Sequence, residues 1–279
     1  MKRKKTSGKI IWYVVNICVA IVFAFPLIWM FFAAFKTAPQ SSGDPFSLWP
    51  SPWTLTNFVK GFATGMFSKY LKNSVIITGL TVCGTLLTSS LVAFGFAKLR
   101  ARGKNVLFFI LLASMMIPAN VTVLPMFTMW AKLGFVNTFV PLILPSFLGG
   151  NAFSIFLLRQ FFASMPRELS EATMIDGGNW FSIYTRIYLP NAKPVLFVVA
   201  IFSFVSSWND YFGPLIYLNS PAKYTISLGL QFFQTQNSAA VDRGPMMAMA
   251  LIAVSPILLL YLFAQKYFVQ GIVTSGIKS

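Results

Sequence analysis

Six long stretches of this chain carry almost no charge, and they limit the fold more than any other feature. They run over 10–35, 73–97, 105–131, 133–158, 194–222 and 244–265, and only Asp210 interrupts the fifth. Each exceeds the ~20 apolar residues that a helix needs to cross a ~30 Å hydrocarbon layer. None shows the ~10-residue alternation of a membrane barrel, and backbone groups in lipid must bond within their own segment, so helices are the reading that remains. The expected fold class is all-α: a polytopic membrane protein with six transmembrane helices at about 11–35, 73–97, 105–131, 138–162, 194–218 and 244–265, forming one permease domain over 1–279. Pro26, Pro118, Pro141, Pro145 and Pro256 fall in or at the ends of these spans and predict kinks packed against protein.

Composition then removes whole classes of function. Charged residues make up only 10% of the 279 positions, against roughly 25% in soluble domains. The 22 Lys and Arg against 6 Asp and Glu give a formal net charge of +16, yet these positives lie between apolar runs and do not form a nucleic-acid face. There is no His, so Ser-His-Asp and Cys-His nucleophiles and His-ligated metals are excluded, and six carboxylates leave little for acid/base chemistry. Cys18 and Cys83 lie far apart inside apolar runs and are expected to be small buried residues. Gly79 and Gly84 have the spacing of a phosphate loop, but Thr85 stands where that loop needs Lys.

The positives report orientation. With the N-terminus inside, 15 of the 22 fall on inner segments: Lys2 to Lys9, the 98–104 loop, the 159–194 region, and Lys266 with Lys278. That asymmetry places both termini in the cytoplasm. A basic start suits a secretory signal, but the apolar run is some 25 residues, longer than the ~7–15 of a signal core. Among outer segments, 36–72 is rich in Pro and Trp and reads as an irregular interfacial loop. Phe58, Phe62, Met66, Phe67, Tyr70 and Leu71 then suit a short surface helix over 55–72.

The inner loop 163–194 holds three of the six acidic residues. Pro166 suits a first helical turn, Glu168 and Glu171 sit at its positive end, and Gly177-Gly178 terminate it, which predicts a helix over 166–176. Ala172 and Thr173 are small enough to let another chain approach. Asn179 then caps a second helix with an apolar stripe of Trp180, Phe181, Tyr184, Ile187 and Tyr188, stopped by Pro190 and Pro194. From the residues alone this elbow suits either a docking device or a loop packed on its own bundle.

At this elbow the residues carry a resemblance. Glu171-Ala172-Thr173, Gly177, Ile187 and Leu189-Pro190 match the E-A-A-x₃-G-x₉-I-x-L-P signature of the membrane-spanning subunits of ABC importers. AFGFAKLRARGK at 93–104, MMIPANVTVLP at 115–125, KLGFVNT at 132–138, FLLRQFF at 156–162, WNDYFGPLIYL at 208–218 and QKYFVQGIVTSGIK at 265–278 are similar to the MalG-type permeases of carbohydrate uptake, so the resemblance covers nearly the whole chain. Thr173 and Gly178 depart from it, since the family usually has Ala at both positions.

The resemblance implies a kinked permease bundle in a bacterial or archaeal cell membrane. It implies an ATP-driven importer for a sugar or oligosaccharide, with a second homologous permease, a cytoplasmic ATPase homodimer and an extracytoplasmic sugar-binding protein as partners. ATP and Mg would belong to the ATPase, this chain holding no cofactor and catalysing no reaction. The coupling residues it implies are Glu168, Leu169, Glu171, Ala172, Thr173, Ile175, Asp176, Gly177, Ile187, Leu189 and Pro190, and the tail 265–279 would enter the ATPase interface. Trp208, Asn209 and Asp210 form the other candidate group: Asp210 suits either a gate or pathway residue, or an interfacial cap beside a belt Trp and a break induced by Pro214. The competing class, an ion-coupled secondary transporter or channel, calls for further intramembrane ionisable groups and an internal repeat, and neither is visible.

Overall fold

A computed structural model describes residues 3–44, 47–63, 65–236 and 242–276, with side-chain surroundings between 9 and 265 except at 119. The described residues are helical, with no strand. In chain order the helices are α1 (Arg3–Ala34), α2 (Ala38–Gly43), α3 (Thr56–Ala63), α4 (Met66–Lys98), α5 (Lys104–Ser114), α6 (Ala119–Lys132) and α7 (Val140–Phe147). They continue as α8 (Ala152–Ser164), α9 (Glu168–Ile175), α10 (Trp180–Asn191), α11 (Lys193–Trp208), α12 (Phe212–Tyr217), α13 (Ile226–Gln236) and α14 (Gly244–Gly276).

Among the described residues, four segments are long and apolar enough to cross a membrane: Lys9–Ala34, Met66–Lys98, Val140–Ser164 and Gly244–Gln265. A fifth arises if α10 and α11, bent by 77° at Ala192, form one broken span. The expected span over 105–131 is instead two shorter helices, α5 and α6. Ile117 precedes Pro118, which is extended at ψ 131°, and a residue before proline avoids helical geometry. The expected helix 194–218 ends at Trp208 and resumes at Phe212, because Pro214 has no N–H for the carbonyl four residues back. The expected helix 138–162 contains a break at Gly149 and Gly150, whose φ values of 137° and 70° are open to glycine.

Two other expectations are corrected. The surface helix over 55–72 stops at Ala63, and Met66 to Leu71 belong to α4, which starts seven residues earlier than expected. Cys18 and Cys83 are exposed, because a small apolar side chain on a spanning helix is as comfortable against lipid as inside the protein. The C-terminal tail reading lies outside the described residues at 277–279 and outside the described side chains from 266 on.

The chain divides into two compact units, 1–68 with 229–256 and 69–228 with 257–279. In the first, the outer loop that follows α1 is tied down by side-chain bonds and ring packing. Asn57 Nδ2 donates to the carbonyls of Ala34 and Lys36 at 2.9 and 2.7 Å, satisfying the open end of α1. Lys36 is buried and donates to the Ser47 carbonyl. Burial pushes its ammonium pKa down, and Asp44 acts in the opposite direction. Phe32, Phe35, Trp49, Trp53 and Phe58 form an aromatic cluster with centroids 5.3–5.8 Å apart. Lys60 pairs with Asp242 at 3.0 Å.

The second unit carries the elbow. Its core gathers Ala93 and Phe94 of α4, Ile155, Leu158 and Phe162 of α8, Ile183, Tyr184 and Tyr188 of α10, and Val199 of α11. Hydroxyls fasten α4 to α7: Thr88 Oγ1 donates to the Ser146 carbonyl at 2.8 Å and Thr81 Oγ1 to the Leu142 carbonyl at 3.4 Å. Such polar contacts between small residues are how helices associate where no water drives them together.

Candidate functional site

The expected helix over 166–176 is present as α9, Glu168–Ile175, with Glu168 and Glu171 in its first turn, where the dipole favours them. Gly177 has φ 80°; its N–H donates to the Met174 carbonyl at 3.0 Å, and that of Gly178 to the Thr173 carbonyl at 2.9 Å. The two bonds form a Schellman end, which reverses the chain at the only residue type that takes this φ without strain. Asn179 Oδ1 then accepts from Ser182 N at 2.8 Å and starts α10 as expected.

Within α10 the expected regular stripe is displaced. Residues Ile183–Tyr188 form a π-helical segment, entered by an ordinary four-residue bond from Ile183 N to the Asn179 carbonyl and widening to five-residue bonds. Leu189 N accordingly donates to the Tyr184 carbonyl, and Pro190, with no N–H, follows where a regular helix would lack a bond. The register shift buries Ile183, Tyr184 and Tyr188 and leaves Trp180 and Phe181 exposed at 42% and 69%.

Two phenol hydroxyls on this segment tie the elbow to its surroundings. Tyr188 OH lies 2.9 Å from Ser170 Oγ of α9, and both residues are buried. Tyr184 OH lies 2.7 Å from Ser90 Oγ of α4. Lys98, at the end of α4, donates to the Met165 carbonyl at 2.8 Å and rests 5.2 Å from the Tyr188 ring centre. The ring of Phe94 packs against Tyr184 and Tyr188 at 5.3 and 5.2 Å. Packed and bonded side chains thus link α9 to α10 and α4.

The expected coupling residues separate into two groups. Glu168, Leu169, Glu171, Ala172, Ile175 and Asp176 are exposed on α9, Ile175 by 85%. Thr173 is half-buried because its Oγ1 donates to the Leu169 carbonyl at 2.8 Å and its methyl turns towards Gly178. Ile187 and Leu189 pack against the core, so they hold the elbow and do not line its outer face; Pro190 is exposed at the bend. A cavity of about 170 Å³ beside α9 is lined by Lys98, Arg100, Lys104 and Arg167 together with Glu171. Among the described residues no ion pair within 4 Å involves Glu168, Glu171 or Asp176. Lys98 and Lys104 are held by the Met165 and Leu99 carbonyls, so the surface offers carboxylates outside any ion pair, a basic wall and an exposed isoleucine, a combination suited to a protein partner.

The second expected group has a capping geometry. Asp210 Oδ1 accepts from Gly213 N at 3.0 Å at the start of α12. Trp208 is buried and stacks on Phe204 at 5.5 Å, and its carbonyl accepts from Ser227 Oγ at 2.9 Å. Sequence reasoning missed Ser170, Lys98 and Ser90, whose partners lie 18, 67 and 94 residues away. No local spacing signals such pairs.

The family described as "Binding-protein-dependent transport system inner membrane component" matches residues 86–274, a stretch that includes the whole elbow. The probable ABC transporter permease protein YurM of Bacillus subtilis is 34% identical over 99% of this chain and 91% of that protein. The trehalose/maltose transport system permease protein MalG of Thermococcus litoralis is 31% identical, and the arabinooligosaccharides permease AraQ of Halalkalibacterium halodurans 32%, each over 99% of both chains. Among solved structures, a chain of a bacterial ABC transporter that imports the acidic polysaccharide alginate superposes with TM-score 0.86 at 23% identity, over 96% of this chain and 99% of that one. A chain of the alginate transporter in complex with its pentasaccharide-bound periplasmic protein gives 0.66 at 17% identity.

Proposed function

The chain belongs to the binding-protein-dependent transport system inner membrane components, in their carbohydrate ABC permease branch, and from that premise we propose that it is the translocation subunit of an ATP-driven sugar importer. In this reading 1–279 acts as one permease domain with six spans, α5 with α6 and α11 with α12 serving as broken spans, and with both termini in the cytoplasm. A second homologous permease completes the pathway, since six helices enclose a channel poorly. A periplasmic binding protein delivers the sugar, and two cytoplasmic ATPase subunits supply the force along with ATP and Mg.

The observation that carries the reading is α9: a short, rigidly capped helix whose outer face is exposed and whose inner face is bonded through Ser170 to Tyr188 in the bent α10–α11 pair. Docking of α9 in an ATPase cleft places Glu171 for a charged contact and Ala172 for close approach. Closure of the ATPase dimer then moves α9 as a rigid body, and the bent α10–α11 pair passes that movement from the elbow to the spans, which switch between inward- and outward-facing states. Asp210 acts as the cap of α12 in this scheme.

The test is co-purification. The chain, expressed with its ATPase and partner permease, retains the ATPase, and Glu171→Arg loses it while membrane insertion is unchanged. Sugar uptake sustained without any ATPase, as an ion-coupled transporter would show, contradicts the reading.

A further inference from the structure

A cavity of about 320 Å³ lies between the middle of α4, the start of α8 and the middle of α11. That volume is at the lower end of the range for small-molecule sites. Its polar lining is Thr85, Asn151, Ser154, Ser203 and Ser206, and its apolar lining is the rings of Phe153 and Phe202. None of these seven is ionisable. Thr85 lies 13 residues before Lys98 in α4, which puts the cavity about 20 Å up the helix from its end, inside the expected hydrocarbon layer.

Hydroxyls at this depth need partners. Several others on the helices find them in their own backbone: Thr88 donates to Gly84, Ser90 to Leu86 and Thr128 to Leu124, all within 2.9 Å, whereas Ser89 Oγ, buried on α4, has none among the described residues. The hydroxyls of Ser154 and Ser206 make no such bond among the described residues, although Ser154 is only 5% exposed. Ser203 Oγ meets Thr85 Oγ1 only at 3.4 Å, a long bond that leaves both free to turn to a third group. Phe153 and Phe202 meet edge to face at 5.8 Å and keep 41% and 45% of their surface open.

We infer that this cavity is a sugar-binding station on the translocation path, contributed by this chain itself and selective for uncharged sugar units. The inference rests on the importer reading above and deepens it. A sugar hydroxyl both donates and accepts, as do serine and threonine hydroxyls, so the pairs satisfy one another without a fixed polarity. The C–H face of the ring covers an aromatic ring of matching size. A sugar acid is disfavoured, since its carboxylate would lose water with no cation on the wall to replace it. A site that holds its ligand through hydroxyls also releases it readily, as a passage requires.

The test uses the assembled importer in nanodiscs without its binding protein, probed with radiolabelled maltose, arabinobiose and digalacturonate, alongside ATP-driven uptake by proteoliposomes with the binding protein present. Saturable binding of a neutral probe is expected, weakened about tenfold or more by Phe202→Ala and by Ser206→Val. Phe202→Tyr keeps the ring and retains binding, and unchanged ATPase co-purification shows that the variants fold. Binding within twofold of wild type in both Phe202→Ala and Ser206→Val, or a preference for digalacturonate, overturns the station while uptake leaves the importer reading standing. Absence of probe binding to the wild type, with uptake intact, likewise overturns the station alone. Absence of ATP-driven uptake of any probe overturns the importer reading and the station with it.

Discussion

Ser170 Oγ and Tyr188 OH meet at 2.9 Å across the elbow, each buried, and theirs is the one side-chain hydrogen bond among the described residues that joins α9 to α10. Tyr188→Phe keeps the ring and strands the Ser170 hydroxyl, at a cost of about 1–3 kcal/mol. Ser170→Ala with Tyr188→Phe removes both partners and is expected to cost less than the sum of the single changes. Thermal unfolding of the purified complex checks this. A strictly additive pair shows that the bond contributes nothing to holding α9.

Thr173 and Gly178 are the two departures from the family signature, and the structure places them against each other. A Cβ on Gly178 would stand 2.7 Å from the Thr173 methyl, whose direction is fixed by the Oγ1 bond to the Leu169 carbonyl, and 2.8 Å from the Thr173 carbonyl oxygen. Gly178→Ala alone is therefore expected to destabilise the elbow by about 1–3 kcal/mol through overpacking. The same change in a Thr173→Ala background, which restores the usual Ala pair, removes the methyl contact but keeps the one to the carbonyl oxygen, so it is expected to cost less than Gly178→Ala alone while remaining destabilising. Limited proteolysis at 163–194 in the four variants of the cycle reads the coupling, and equal sensitivity of Gly178→Ala in both backgrounds shows that the two substitutions are unrelated.

Ile175 is 85% exposed on a face that carries Glu168, Glu171 and Asp176. Ile175→Asp is expected to leave membrane insertion and thermal stability unchanged, since nothing of its own chain covers it, and to lower ATPase affinity by at least tenfold. Pull-down of the ATPase at graded concentrations measures this. Unaltered affinity moves the docking surface away from this face of α9.

The elbow was legible in the sequence because its signals are local. Proline, paired acids, a glycine pair and an asparagine cap all act within a few residues, and the observed α9 differs from the expected helix by two residues at its start and one at its end. The apolar runs likewise marked the four segments that are long and apolar enough to cross a membrane. Where spans break was less legible: Gly149-Gly150 and the Pro118 interruption look like tolerable kinks in an apolar run, and only packing decides between bend and break. The π-helical turn at Ile183–Tyr188 was hidden for a related reason, because a wider turn leaves composition unchanged; Ile183 is buried and Phe181 exposed, which the expected stripe did not give. The hydroxyl-lined cavity was invisible, since Thr85, Ser154 and Ser203 come from three distant helices and each alone suits a helix contact.

Gly177 offers the most direct measurement. Its φ of 80° closes α9, and a β-branched residue there is strained by about 1–2 kcal/mol or more, enough to alter the elbow without touching any span. Sugar uptake and ATP hydrolysis are measured together in proteoliposomes holding the complete importer, with wild type beside Gly177→Val. The predicted result is that the variant inserts and assembles normally, still hydrolyses ATP, and moves several-fold less sugar per ATP. Unchanged sugar moved per ATP in Gly177→Val would contradict the assignment of the elbow as the element that couples ATP to transport.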